Sequence, residues 1–285
     1  MPALITGMRI LVTGGQGRLG RAVTQQLIDR GDRPISVDIR PGAGGRIVDV
    51  TNVGEVFGVA AGCDAVIHCA AIPSPERHPP EIIFETNVIG TFAVLQAAAL
   101  AGIRRVVMSS SLSALGGAWA TPPHPPRYVP VDEDHPLDVE DPYGLSKVIN
   151  ERTAEMFHRR YGMTIAALRF GWILSEQEAR AEAERFAGDP LRNQAGLWSY
   201  IDERDAAAAC LNAVDADDFG FAILNIIGAD TLATIPTEEA LDRYAPDVER
   251  RAAFAAFQSP FSIERARTLI GFAPRHSWRT DGNGG

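Results

Sequence analysis

The first regular signal along the chain is the apolar run Met8-Arg9-Ile10-Leu11-Val12-Thr13, which breaks into closely spaced glycines and resumes with apolar residues at helical spacing, Leu19, Ala22, Val23 and Leu27. That pattern predicts a strand, a tight turn and a helix. Short apolar runs over residues 34–38, 46–50, 64–71, 104–111 and 163–169 predict five more strands, and helical periodicity over residues 52–60, 81–101 and 143–161 fills intervals between them. Residues 116–142 are crowded with proline, glycine and acids, which predicts a long irregular loop of the kind that carries function in compact domains. Repeated alternation of strand and helix means an α/β fold with a doubly wound parallel sheet, whose ligands belong at the carboxyl ends of the strands. Past Gly171 the pattern loosens into a charged helix over residues 176–186, an alanine-rich helix ending at Val214, a strand over 221–227, and helices over 237–244 and 262–270.

Gly14, Gly17 and Gly20 stand where the first strand meets its helix. Glycine suits such a turn because the backbone needs left-handed φ, because a pyrophosphate must come close, and because the helix must pack tightly on the strand. The amides of the helix N-terminus then face an anion. The second strand ends in Asp38, eighteen residues after Gly20, where a carboxylate takes the adenosine ribose hydroxyls of a dinucleotide. Together these features predict a Rossmann domain over residues 8–170, with a small substrate lobe over 171–279 from which some segments return to the sheet. Asp38 favours NAD, since a 2'-phosphate would meet a carboxylate, and Arg40 and Arg18 soften that preference. Asp49 falls either near the adenine end or at a helix cap. Ala70 and Ala71 end the fourth strand with side chains small enough for a cofactor to lie against the backbone. His68, inside an apolar strand, reads as a hydrogen-bonded structural histidine before it reads as a base.

Composition narrows the function. A chain of 285 residues, 46% hydrophobic and 22% charged, supports a sizeable core with an appended lobe. Its net charge of -9 argues against nucleic acid or an anionic membrane as partner, because phosphate-binding surfaces need a basic field. Cys63, Cys69 and Cys210 are odd in number and lack C-x-x-C spacing, so neither a disulfide framework nor a metal site is expected, and a reducing cytoplasm fits. No apolar run reaches the length of a transmembrane helix, and residues 1–7 lack the basic start and apolar middle of a secretory signal. Residues 1–7 read as a loose leader and 280–285 as a frayed tail. The long small-residue face over 81–101 packs either on its own sheet or on a second subunit, and a homodimer is the expectation.

Tyr143 and Lys147 lie four residues apart, hence on one helix face. A free tyrosine is only on the order of 0.1% ionised at pH 7, so it needs a nearby positive charge to act as a base. Lys147 and an oxidised nicotinamide supply one. A serine from Ser109-Ser110-Ser111 at the neighbouring strand end then holds the substrate oxygen while tyrosine exchanges its proton and the nicotinamide exchanges hydride.

With these residues in place the chain resembles an extended short-chain dehydrogenase/reductase of the NAD-dependent epimerase/dehydratase type. The matching stretches are Thr13-Gly14-x-x-Gly17-x-x-Gly20, Asp38, Asp49-Val50-Thr51, His68-x-Ala70-Ala71, Thr86-Asn87-Val88-x-Gly90-Thr91, Ser109-Ser110-Ser111, Tyr143-x-x-x-Lys147, Leu168-Arg169 and Tyr200-Ile201-Asp202-x-x-Asp205. The resemblance implies Ser111 as the substrate-holding hydroxyl, Tyr143 as acid/base and Lys147 on the nicotinamide ribose. It puts Asp38 on the adenosine ribose, Asp49 and Val50 beside adenine, and Ala70 and Ala71 along the cofactor; Arg18, Leu19, Asn87 and Ser109 complete the implied cofactor set. Departures are informative. Ser111 is followed by Leu112-Ser113 in place of the Asp-Glu pair of sugar-nucleotide dehydratases, which argues against dehydration. Gly171-Trp172-Ile173-Leu174-Ser175 replaces the Gly-Pro-Arg type segment of nucleotide-sugar epimerases, and the compact lobe is similar to that of uronate and other free-sugar dehydrogenases.

The reading is an NAD-dependent oxidoreductase acting on a secondary alcohol or hemiacetal carbon of a small sugar. Its rivals are an epimerase that keeps NAD bound and an NAD(H)-sensing module without turnover, against which the Ser-Tyr-Lys set argues. Ser74, Ser113 and Trp172 are substrate candidates, the serines for sugar hydroxyls and the indole for ring stacking. Arg180 and Arg185 either bind a substrate carboxylate or pair with the glutamates of their own helix.

Overall fold

A computed structural model describes residues 7–42, 44–76 and 78–280, so most of the expected leader and tail lie outside the described residues. In chain order the elements are β1 (Arg9–Thr13), α1 (Arg18–Asp29), β2 (Arg33–Asp38), β3 (Arg46–Ile47), α2 (Val53–Ala60), β4 (Ala65–His68), α3 (Pro80–Leu100) and β5 (Arg105–Ser111). After a 3-10 turn at Leu112–Leu115 come β6 (Tyr128–Val129), α4 (Pro142–Tyr161), β7 (Thr164–Phe170), β8 (Trp172–Leu174), α5 (Glu176–Gly188) and β9 (Tyr200–Asp202). The chain continues through α6 (Glu203–Asp215), β10 (Phe221–Ile226), α7 (Thr237–Tyr244), β11 (Glu249–Arg250) and α8 (Glu264–Ile270).

Seven strands form one parallel sheet in the order β10-β7-β5-β4-β1-β2-β3, as the strand–helix alternation predicts. Strands covered on both faces read as continuous apolar runs, and Ile10, Leu11 and Val12 are fully buried. Alternate side chains feed two cores. On one face Val12, Ile67, Val107 and Leu168 meet α1, α6 and α8. On the other Leu11, Val66, Val106 and Ala167 meet α2, α3 and α4. The strand order reverses between β1 and β4, which leaves a crevice at their carboxyl ends. A third cluster joins Val129 and Val131 of the long loop to Leu174, Phe186, Trp198 and Leu241.

Three expectations are corrected. The strand expected over 46–50 pairs only at Arg46 and Ile47, because the Glu55 carboxylate takes the Asp49 amide at 2.9 Å and the Asp49 carboxylate turns back onto Thr51. The loop over 116–142 is partly regular, since Tyr128 and Val129 pair with Glu249 and Arg250 far along the chain. Pro80–Leu100 is long and apolar enough for a membrane span by length and composition, but half of that stretch is buried and it packs between α2 and α4. Beyond Gly171, β10 closes the sheet against β7, and α6 packs in the sheet's first core.

That placement of β10 makes it part of the main cooperative unit. Leu224→Ala, at a fully buried β10 position, should cost about 2–5 kcal/mol in urea unfolding. Leu191→Ala, at a 60% exposed position, should stay within about 0.5 kcal/mol.

Candidate active site

The turn between β1 and α1 is built from glycines for reasons the backbone makes explicit. Gly14 has φ +69°, and a Cβ there would stand 2.6 Å from the Ala70 amide nitrogen; one on Gly20 would stand 2.1 Å from the Gly14 carbonyl oxygen. At Gly17, which caps α1, the added atom would meet only that carbonyl at 3.1 Å and otherwise open space, so the turn is accessible to a phosphate where the helix amides point. Asp38 ends β2 beside it. Burial opposes its charge, but amides of Arg40 and Gln16, each at 2.9 Å, hold the carboxylate below its usual range. These residues fit a dinucleotide: an anion-binding helix start and a fixed carboxylate one strand away.

The cofactor-side candidates divide by what they touch. Leu19 is in the core. Arg18 forms a bidentate pair with Glu178 on α5, with the Nη2 contact at 2.6 Å. Asn87 is buried and fully engaged, accepting from the Ile72 amide at 2.8 Å and donating to the Ile72 carbonyl and the Ser146 hydroxyl, so it clamps the loop after β4 to α3 and α4. Ala70 and Ala71 lie in that loop, where the Thr13 hydroxyl accepts from the Ala70 amide at 3.3 Å. Val50 is half-buried beside Gly90. Asp49 is spent on the turn before α2, which Asn52 caps.

Tyr143 and Lys147 sit on the first turns of α4, started by Asp141, whose carboxylate accepts from the Gly144 amide at 2.8 Å. Gly144 lets α4 close onto the 3-10 turn, since a Cβ there would lie 2.5 Å from the Ser113 carbonyl oxygen. That contact brings Tyr143 to Ser111. Ser111 caps the 3-10 turn by accepting from the Ser113 amide at 3.1 Å. Burial raises the Tyr143 phenol, and its hydrogen bond with Ser111 lowers it in part, so the phenol rests protonated. Lys147 donates to the Ser109 carbonyl at 3.0 Å and lies 5.6 Å from the centre of the Tyr143 ring. Burial lowers the Lys147 ammonium to about 8; Glu151 opposes that, whereas the Cys69 thiol, itself pushed up to about 12 by burial, is neutral there. A phenol, a hydroxyl and a cation thus lie together at the carboxyl end of β5, groups able to exchange a proton with a carbinol.

Of the substrate candidates, Ser74 caps a turn at Glu76 and Trp172 is 42% exposed. The indole borders a shallow opening with Phe186, Trp198, Arg192 and Asn193. Asn193, Leu197 and Trp198 there have φ of 58°, 49° and 55°, a strained run that periodicity does not reveal. Arg180 pairs with Glu176 at 3.0 Å and Arg185 with Glu182, as members of their own helix.

Sequence reasoning passed over two residues. Glu151 stands one turn beyond Lys147, a spacing that makes it visible in the chain. Glu178 shows in the chain as the acid of a Ser175-x-x-Glu178 capping box, but its pairing with Arg18, across 160 residues, has no local signal. A count also carries information: Lys147 is the only lysine in the chain.

The crevice at the strand-order reversal, the glycine turn and the Asp38 carboxylate define a Rossmann enzyme of the short-chain dehydrogenase/reductase type. The NAD dependent epimerase/dehydratase family matches residues 10–226, and the chain belongs to it. It is similar to an L-arabinose 1-dehydrogenase (NAD(P)(+)) of Haloferax volcanii, 31% identical over 62% of this chain and 71% of that one. It is also similar to a putative UDP-glucose 4-epimerase of Methanocaldococcus jannaschii, 30% identical over 66% of this chain and 65% of that one. Among solved structures, a short-chain dehydrogenase/reductase superfamily protein of Agrobacterium tumefaciens with bound NAD superposes with a TM-score of 0.73 at 26% identity, covering 95% of this chain and 94% of that one. The protein is an NAD-dependent enzyme of this family.

His68 shows how dry the sheet's carboxyl end is. It is held between the Thr13 hydroxyl at 2.7 Å and the Thr91 hydroxyl at 3.2 Å, and burial, with Lys147 nearby, lowers it to about 3. The unfolded chain therefore takes up this proton near pH 6.5 and the folded one only near 3, so stability falls as pH drops through that window, by about 1.4 kcal/mol per unit. Urea midpoints at pH 7 and pH 4.5 should converge in His68→Gln relative to the parent.

Proposed function

We propose that this protein oxidises a secondary alcohol or hemiacetal carbon of a small sugar, passing hydride to NAD. The observation that carries this is the convergence of Ser111, Tyr143 and the only lysine at the end of β5. Ser111 holds the reacting oxygen. Tyr143 takes its proton, and Lys147 holds the nicotinamide ribose while its charge favours the phenolate. NAD, when bound, supplies the hydride acceptor; Gly14 to Gly20 hold its pyrophosphate and Asp38 its adenosine ribose. The open face of Trp172 suits a pyranose ring, and the arabinose dehydrogenase among the relatives supports a free sugar. The relative named as an epimerase supports a second reading, in which hydride returns to the opposite face of the sugar. Gly171-Trp172-Ile173-Leu174-Ser175 and the short lobe that follows favour the dehydrogenase, while Leu112-Ser113 after Ser111 argues only against dehydration. Residues 171–279 supply the substrate side, with β10 and α6 lent to the sheet. The thiols of Cys63, Cys69 and Cys210, all unpaired, suit a reducing cytoplasm.

Purified protein with a panel of neutral and acidic sugars should form NADH, and Tyr143→Phe should lower kcat by roughly 10²- to 10⁴-fold with NAD affinity unchanged. Inverted product without NADH selects the epimerase, and full turnover in the variant removes Tyr143 from the chemistry.

We also propose a homodimer. Ile82, Ile89 and Phe92 on α3 and Leu145 on α4 are exposed apolar side chains on neighbouring helices. Sedimentation at micromolar concentration should give a dimer, and Phe92→Glu a monomer. A monomeric parent refutes the interface.

A further inference from the structure

Tyr143, Lys147 and Glu151 follow one another at four-residue spacing, on one face of α4, and all three are buried. Glu151 and Arg169 are 2% and 1% exposed. Arg169 donates from Nε to Glu151 Oε1 and from Nη2 to Oε2, both at 2.8 Å, and the Ser110 hydroxyl donates to Oε1 at 2.7 Å. Ser110 is opposite Arg169 in the β5–β7 register. Alternation puts both on the α4 side, where Val106, Met108, Ile165 and Ala167 pack. Ser110 is flanked by Ser109, whose carbonyl receives the Lys147 ammonium, and by Ser111.

We propose that the buried Glu151–Arg169 pair is a positioning device for the site: through Ser110 it anchors the end of β5, and its carboxylate is the anion that keeps the Lys147 ammonium charged. This rests on the roles given above to Tyr143 and Lys147. The groups facing Lys147 are Tyr143 and Glu151 from α4, the Ser109 carbonyl from β5, and His68 and Cys69 from the end of β4, with Arg169 of β7 behind Glu151. His68 is neutral, lowered to about 3 by burial and by Lys147, and burial pushes the Cys69 thiol up to about 12. Beyond these, the acidic side chain in this shell is Glu151, fixed by the two-point contact of Arg169 and by the Ser110 hydroxyl. A buried ion pair contributes little net stability compared with apolar side chains of the same volume, so its retention beside the candidate site calls for another account. Arg169 tempers the carboxylate, which leaves Lys147 charged yet able to exchange its proton near neutrality.

The only lysine gives a direct readout. Protein labelled with ¹³Cε-lysine shows one side-chain signal to titrate by NMR, without cofactor or substrate. Glu151→Gln leaves Arg169 as an unpaired cation, and the Lys147 midpoint should fall by about one pH unit or more. Arg169→Gln leaves the carboxylate unopposed, and the midpoint should rise by a similar amount. The double variant should fall between Glu151→Gln and the parent, because Glu151 is the nearer of the two charges along α4. Opposite shifts in the two single variants are what a purely structural pair does not produce; midpoints that stay put or move the same way overturn the proposal. Should a single variant fail to fold, the double variant decides, and a midpoint at or above the parent's overturns it. In turnover, the fall of kcat at high pH should follow the midpoint, and a limb that stays put while the midpoint moves refutes the positioning role. Full activity in Tyr143→Phe would remove the catalytic reading and leave the titration result standing, so the two failures are separable.

Discussion

An ammonium taken out of water is among the most expensive groups a protein can bury, and the end of this sheet is arranged to hold one. Lys147 is 2% exposed, yet it is neither stranded nor locked in a direct ion pair: the Ser109 carbonyl receives it and a carboxylate stands one turn along its own helix. Each neighbouring feature serves that placement. Asp141 fixes where α4 begins, Gly144 lets the helix close against the Ser113 carbonyl, and Asn87 ties Ser146 to the loop after β4. The phenol of Tyr143 reaches Ser111 because those three contacts set the depth of the helix.

What was legible in the chain was what depends on short spacing. The glycine turn, Asp38 at the end of its strand and the Tyr143–Lys147 pair each occupy a few residues, and the structure sets them along neighbouring carboxyl ends of one sheet, which strand–helix alternation alone implies. Strand β3 was overextended because a side chain, Glu55, competes for the amide that the ladder would have used. Side chains that close a circuit across the fold had no such signal. Arg18 enters the expected cofactor set through the resemblance, and its partner Glu178 lies beyond the whole nucleotide-binding half of the chain.

Beyond Gly171 the reading weakened for a physical reason: besides its apolar cluster, that part is tied together by polar contacts between distant segments. The Tyr200 hydroxyl donates to Asp230 at 2.8 Å, Ser277 donates to the other oxygen of the same carboxylate, and Asp205 accepts from the amides of Arg275 and His276. Asp205 stands out in its own stretch, but nothing there says that it satisfies backbone amides of a segment seventy residues away. The left-handed residues Leu197 and Trp198 are held there by burial and by the Leu232 amide, which donates to the Trp198 carbonyl at 2.8 Å.

The two kinds of basic side chain divide the work. Where a fixed charge and two parallel donors are needed, the chain uses guanidinium: Arg169 on Glu151, Arg127 on Asp138 and Arg204 on Asp202 are all two-point contacts between 2.7 and 2.8 Å. A guanidinium keeps its proton at any physiological pH, so none of these can take part in an exchange of protons. An ammonium is compact and yields its proton when burial weakens its hold. The chain places its only lysine where burial brings that proton to about 8, and surrounds it with a neutral imidazole, a protonated thiol and a carboxylate already shared with an arginine. Arginine at position 147 would keep the charge and the helix, but it would bring a planar fork of donors in place of the single compact ammonium at the Ser109 carbonyl. The residue choice and the packing agree on one point, a compact cation held at the Ser109 carbonyl beside Tyr143.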